Sequence, residues 1–265
     1  MEFSKEELLN MNPAKFRTFT RSGVWTRPNL NVCRGYAMAN LAIVPKDYAF
    51  EFLLFCVRNP QPCGLIDVTE PGDPHPRQVA PEADLRTDLP RYRVFKDGEC
   101  VDEPTDVIKY WRDDLVAFLI GCSCSFDWAL QAANVHYRLI GAYKSTIQCV
   151  PAGRFHGPMV VSCRFVNNGH DAVRAVQISS RMRVTHGPPV HIGEPSAIGI
   201  KNLYHPDFYP FTPTTPQRPD EIAMYWGCGV TPQTVAMESK VPFMITHCGG
   251  HMFFTDKLSE ELAIL

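Results

Sequence analysis

Apolar positions along this chain fall in short runs separated by proline- and glycine-rich stretches, and the runs differ in period. Residues 37–44 are apolar except for Asn40 and end at Pro45, which predicts a buried strand; residues 46–57 behind it predict a helix. Ser4 and Glu7 make a Ser-x-x-Glu start before Leu8, Leu9 and Met11, so residues 4–19 predict a short capped helix. Residues 59–81 are dense in proline and predict a surface wrap, with a brief strand at 65–68. Residues 92–95 followed by Asp97-Gly98 predict a strand and a hairpin turn. Residues 113–120 predict a helix that stops at Gly121. Further strands are predicted at 145–150, 159–165, 175–179, 222–228 and 243–246, and residues 206–219 read as an ordered proline-rich loop.

Short strands mixed with helices predict an α/β protein, two-lobed, with a cleft between the lobes. The 265 residues read as one continuous domain, the lobes being roughly 1–110 with 222–265, and 111–221. No internal repeat is present.

Composition narrows the function. A formal net charge of −2 with scattered Lys and Arg offers no basic footprint, so no nucleic-acid partner is expected. The longest apolar runs, 50–57 and 115–122, fall far short of the roughly 20 residues of a membrane span. The acidic, amphipathic start MEFSKEELL lacks the basic and apolar regions of a signal peptide, so a cytoplasmic location is expected, with no membrane partner. The ten cysteines then read as reduced thiols, with Cys33, Cys56, Cys100, Cys149 and Cys163 as small buried hydrophobes.

Four segments place polar residues beside glycine at the ends of apolar runs, where ligand sites of α/β proteins lie. Gly121-Cys122-Ser123-Cys124-Ser125-Phe126-Asp127 brings two hydroxyls and backbone amides to a turn where a carboxylate would fit. His186-Gly187-Pro188-Pro189-Val190-His191 sets two imidazoles around a stiff proline turn, and His247-Cys248-Gly249-Gly250-His251 sets two more beside a thiol. His186, His191, His247 and His251 invite a divalent-metal reading, but the paired spacings of structural zinc sites are missing; acid–base histidines and no cofactor are preferred. Cys228-Gly229-Val230-Thr231-Pro232-Gln233 offers amides to an oxyanion, or is simply a close-packed strand-to-helix turn. Arg86 and Arg91 offer guanidinium groups to a carboxylate, or belong to a surface ion-pair network. No phosphate loop, dinucleotide fingerprint or serine-hydrolase elbow occurs.

Taken in order, Ala39-Asn40-Leu41, Arg58-Asn59-Pro60, the run from Asp84 to Tyr92, the run from Asp113 to Ser123, His186-Gly187 with Pro189-Val190-His191-Ile192-Gly193, and Cys228-Gly229-Val230-Thr231-Pro232-Gln233 resemble the bacterial hydro-lyase family grouped with D-glutamate cyclase. The resemblance implies a lyase that removes or adds water on a small carboxylate or amino-acid substrate, and in the cyclase case closes D-glutamate to 5-oxo-D-proline. It implies His191 or His247 as acid–base, with Ser123 and Asp127 beside them in the catalytic group. Ser123, Ser125 and Gly229 would make oxyanion contacts, Arg86 or Arg91 would hold the second carboxylate, and Asn40 and Thr231 would join the substrate contacts. Homo-oligomerisation is compatible with all of this. The chain departs from the family pattern at Met38, usually Gln, at Asp127, usually Glu, at Ala142-Tyr143-Lys144-Ser145-Thr146, usually Met-Tyr-Arg-Thr, and at Gly249, usually Pro. The Asp127 side chain is one methylene shorter than the usual Glu, and Lys144 lacks the forked geometry of Arg.

Overall fold

The computed structural model describes residues 3–208 and 215–264. In chain order these form α1 (Lys5–Leu9), α2 (Pro13–Arg21), β1 (Tyr36–Pro45), α3 (Lys46–Arg58), β2 (Leu65–Val68), β3 (Tyr92–Lys96), β4 (Glu99–Asp102), β5 (Leu115–Gly121), α4 (Cys124–Ala132), β6 (Tyr137–Gln148), β7 (Pro158–Val166), α5 (Gly169–Ser180), β8 (His191–Ile192), β9 (Ile222–Gly227), α6 (Thr231–Ser239), β10 (Met244–His247) and β11 (Phe253–Leu258). The fold is mixed α/β, built on two antiparallel sheets. One has the order β2-β5-β1-β10-β3-β4 with β11 also paired to β1; the other has the order β6-β7-β9-β8. Thus β5 stands in the first sheet and β9 in the second.

Strand alternation sorts the side chains into layers. On β1, Ala42 and Val44 enter a core shared with β5, β6, β7, β9, α3 and α6, while Ala39, Leu41 and Ile43 enter a second core under the loop that carries Leu85 and Leu89. On β7, Val161, Cys163 and Phe165 face the shared core. The intervening Ser162 and Arg164 therefore face the other side of that sheet, where Phe126 and Leu130 of α4 and Ala172 and Ala175 of α5 pack against Trp226.

Several sequence expectations hold: β1, β2, the β3–β4 turn at Asp97-Gly98, α3 and α1 with its Ser4–Glu7 capping box. The helix expected over 4–19 divides at Asn12-Pro13, because Asn12 accepts from Ala14 N and starts a second helix. Residues 113–120 do not form a helix. They become β5, all seven residues buried, because a strand buried on both faces shows the same unbroken apolar run as a buried helix. Residues 175–179 are not a strand either but part of α5, capped by Asn168 and buried at Ala172, Ala175 and Ser179, a helical spacing. All ten cysteines are free; Cys100 is exposed at the sheet edge, contrary to its expected burial, since β4 is an outer strand. The proline-rich tract expected at 206–219 falls in part, at 209–214, outside the described residues. No helix among those described is long and apolar enough to cross a membrane.

Candidate functional site

Arg164 is the one strong charge in the β7 run Met159 to Val166, and its side chain is fully buried. Alternation points it at α4, where Asp127 stands in the first turn. Its Nε donates to Asp127 Oδ1 at 2.9 Å and its Nη2 to Oδ2 at 3.0 Å, a bidentate pair. Phe126 and Trp226 present their rings to the guanidinium carbon at 4.7 and 5.2 Å, which suits a planar cation with little hydration. Burial works to lower the Arg164 pKa, but the Asp127 charge and hydrogen bonds outweigh it and hold the group above the ordinary arginine value. The same guanidinium reaches Ser123 Oγ and Ser162 Oγ, each at 3.3 Å, and these hydroxyls lie 3.5 Å apart.

Asp127 is the member of this cluster that meets open space, its side chain 12% exposed against none for Arg164. With Cys124, Trp128, Tyr137 and Leu139 it lines a cavity of about 190 Å³. That is room for about six waters at ~30 Å³ each, the scale of one amino acid. Charge therefore sits at the cavity wall as a carboxylate backed by a buried cation. The flanking Cys122 and Cys124 thiols are hydrogen-bonded to each other; that bond and burial hold Cys124 well above the usual thiol range.

The strand ends around Ser123 approach closely. Asn40 Nδ2 donates to Gly121 O at 2.8 Å, and a Cβ on Gly229 would lie 2.0 Å from that nitrogen. A Cβ on Gly121 would lie 2.0 Å from Val184 O, so only glycine lets the turn before His186 pass across the end of β5. Ser125 Oγ accepts from Met38 N at 2.9 Å and so ties α4 to β1, and Thr231 Oγ1 accepts from Val160 N at 3.0 Å and donates to Cys228 O at 2.7 Å.

The expected site residues thus divide. Ser123 and Asp127 share the Arg164 guanidinium, and Asn40, Ser125 and Gly229 pack on adjoining strand ends. Arg86 is paired to Asp84 at 2.7 Å and Arg91 Nη1 donates to Glu103 O at 3.2 Å; neither joins the Asp127 cluster. His191 bonds Glu194 O at 2.8 Å through Nε2 and lies beside Tyr225 on β8. His247 is buried, its Nδ1 3.3 Å from Leu41 N and its Nε2 without a hydrogen-bond partner among the described residues. Burial lowers its pKa to about 4, against the Leu41 hydrogen bond, with the His251 and Arg93 charges adding to the lowering. His186 is likewise lowered to about 4 by burial, against its bond to Gln61 O and with the Arg164 charge adding to the effect. His251 bonds Gly249 O. No group of three or more His, Cys, Asp or Glu side chains among the described residues is placed to hold a metal ion. Arg164 and Ser162 escaped the sequence reading; the available signal was a polar pair at alternate positions in an otherwise apolar strand.

The site is thus a carboxylate, backed by a buried guanidinium, at the wall of a cavity of about 190 Å³ in a mixed α/β scaffold. Comparison with known proteins names its class: a family model described as D-glutamate cyclase matches residues 116–256. A Geobacillus kaustophilus protein named "Putative hydro-lyase GK2103" is 51% identical, over 96% of this chain and 98% of its own. Bacillus subtilis "Putative hydro-lyase YcsI" is 48% identical, over 96% of this chain and all of its own, and a Stutzerimonas stutzeri relative of the same hydro-lyase name is 47% identical, over 97% of each. A solved nitrogen repressor-like protein from Methanococcus jannaschii, 9% identical over 93% of this chain and 97% of its own, overlays with a TM-score of 0.39, too weak a likeness to carry an inference. The chain belongs to the D-glutamate cyclase family and is a lyase of the hydro-lyase type.

Proposed function

We propose that this enzyme cyclises D-glutamate to 5-oxo-D-proline with loss of water, and that the Asp127 cavity receives the substrate. The observation that carries the reading is the Asp127 carboxylate, fixed by a buried guanidinium and facing a cavity of amino-acid size. A carboxylate there suits the substrate ammonium. In the reaction the ammonium loses a proton to Asp127 and its nitrogen attacks the side-chain carboxyl carbon. An N–C bond forms, a C–O bond breaks, and the departing oxygen leaves as water with the two protons shed by nitrogen.

Neither of the two histidines considered lines the Asp127 cavity, His247 being buried against Leu41 and His191 Nε2 being bonded to Glu194 O, so the proton of the ammonium is assigned to Asp127. Arg86 and Arg91 are each engaged elsewhere, and Arg164, the guanidinium of the site, is buried behind Asp127 and serves to fix that carboxylate. The shorter Asp127 supports a second reading, an amino diacid one methylene longer than glutamate.

The test is incubation of the purified enzyme with D-glutamate, L-glutamate, longer amino diacids and hydroxy diacids, with and without divalent metal, following loss of water by mass. Selective turnover of D-glutamate, abolished in Asp127→Asn, is the expected result. Turnover only with added metal would instead indicate a metal-assisted hydratase, and tight binding of 5-oxoproline without conversion a carboxylate-binding protein.

A further inference from the structure

A larger concavity, about 940 Å³, lies between α4, α5 and the turn at Ser259–Leu262. This is the volume of a site that takes a whole organic ligand. Its walls are largely apolar, with Trp128, Ala132, Ala133 and Ile178 among them, and Arg34, Arg181, Ser259 and Glu260 supply the charge and polarity. Two of the lining residues hold orphaned polar atoms. Ser259 is only 6% exposed and its hydroxyl has no hydrogen-bond partner among the described residues; the buried indole N–H of Trp128 has none among them either. Buried donors in proteins are partnered as a rule, so two orphans on one concavity point to an acceptor that the described residues do not supply.

We propose that this groove is a second ligand site, for an organic monocarboxylate with a flat apolar body. Arg34, Arg181 and the Ser259 hydroxyl receive the carboxylate, and the body lies against Trp128 beside the two small alanines. The bond from Arg181 Nε to Ile264 O, at 3.2 Å, steadies that guanidinium. Glu260 opposes a second negative charge, which separates this ligand class from the amino diacids of the Asp127 cavity. Trp128 lines both cavities, so a ligand in the groove rests on a wall of the other site. The inference stands whether or not the cyclase reaction is the right one.

The test is calorimetric titration of the full chain with 3-phenylpropionate and with its uncharged counterpart, 3-phenylpropanol. The acid is expected to bind saturably and about ten-fold more tightly than the alcohol, as charge-assisted hydrogen bonds require. Excess D-glutamate should not displace it. Arg181→Gln should weaken binding about five-fold or more, and Ala132→Phe should block it by filling the groove. Absence of saturable binding, equal affinity for acid and alcohol, displacement by D-glutamate, or unchanged affinity in Arg181→Gln would overturn the proposal. Arg181 is exposed, so that variant decides the matter even if Ala132→Phe does not fold.

Discussion

The Arg164 guanidinium has no exposed surface, so the Asp127 carboxylate that neutralises it is a structural partner as well as the proposed proton acceptor. Removing one member of such a pair leaves an uncompensated buried charge, which costs about 3–5 kcal/mol. Asp127→Asn is therefore expected to lower unfolding stability by that order in a urea titration as well as to abolish turnover. Replacing Arg164 and Asp127 together by Met and Leu should recover much of the stability and none of the activity, which separates the two roles. The buried histidines govern acid tolerance. His186 and His247 have folded pKa values of about 4, against an ordinary 6.5, so the unfolded chain takes up protons first as pH falls. Stability that is complete above pH 6.5 is then lost between 6.5 and 4, on the order of 3 kcal/mol for each histidine. Urea midpoints measured across that window should fall steeply, and His247→Gln should remove about half of this histidine-linked part of the slope.

At the scale of the element, β5 delivers the site. Its interior position carries the chain to Gly121, where α4 begins within three residues and sets Ser123 and Asp127 over Arg164. Gly121→Ala would drive a methyl into Val184 O, an atom of backbone that cannot rotate away. The expected outcome is a loss of roughly 1–3 kcal/mol by overpacking, with faster amide exchange concentrated at 183–187; exchange unchanged there would contradict the close approach. Sequence periodicity read the elements with a local end signal better than this one. The β3–β4 hairpin was legible because Asp97-Gly98 is a local turn signal, and β1 because Pro45 marks its end. For β5 and α5 the decisive fact was which faces neighbours would cover, and local sequence does not carry that.

Across the whole molecule, burial sorts ten chemically similar thiols into classes of accessibility. Cys100 is exposed, Cys248 is partly so, and the other eight are buried. Titration of the native enzyme with a thiol-reactive chromophore should show one fast thiol and one slower one, with the remainder released only on denaturation. Cys100→Ser should delete the fast phase. An early reaction of more than two thiols would mean that the sheets open on the timescale of the assay.

Short-range chemistry in the sequence determined the helix cap at Ser4, the strand that ends at Pro45 and the Asp97-Gly98 turn, whereas the expected polar turn from Ser123 to Asp127 is the start of α4 and the cap at Asn12 divides the helix expected over 4–19. Each of these depends on neighbours a few residues away. Only the tertiary structure decided that Asp127 pairs with Arg164 while Arg86 and Arg91, offered to a substrate carboxylate, are engaged elsewhere, and that His247 is buried while His191 bonds its own loop. The partner of a buried charge is set by strand register and sheet order, here the pairing of β7 with β6 and β9 that turns Arg164 toward α4. Such a pairing joins residues 37 positions apart, and the charge must meet its partner because no water reaches it.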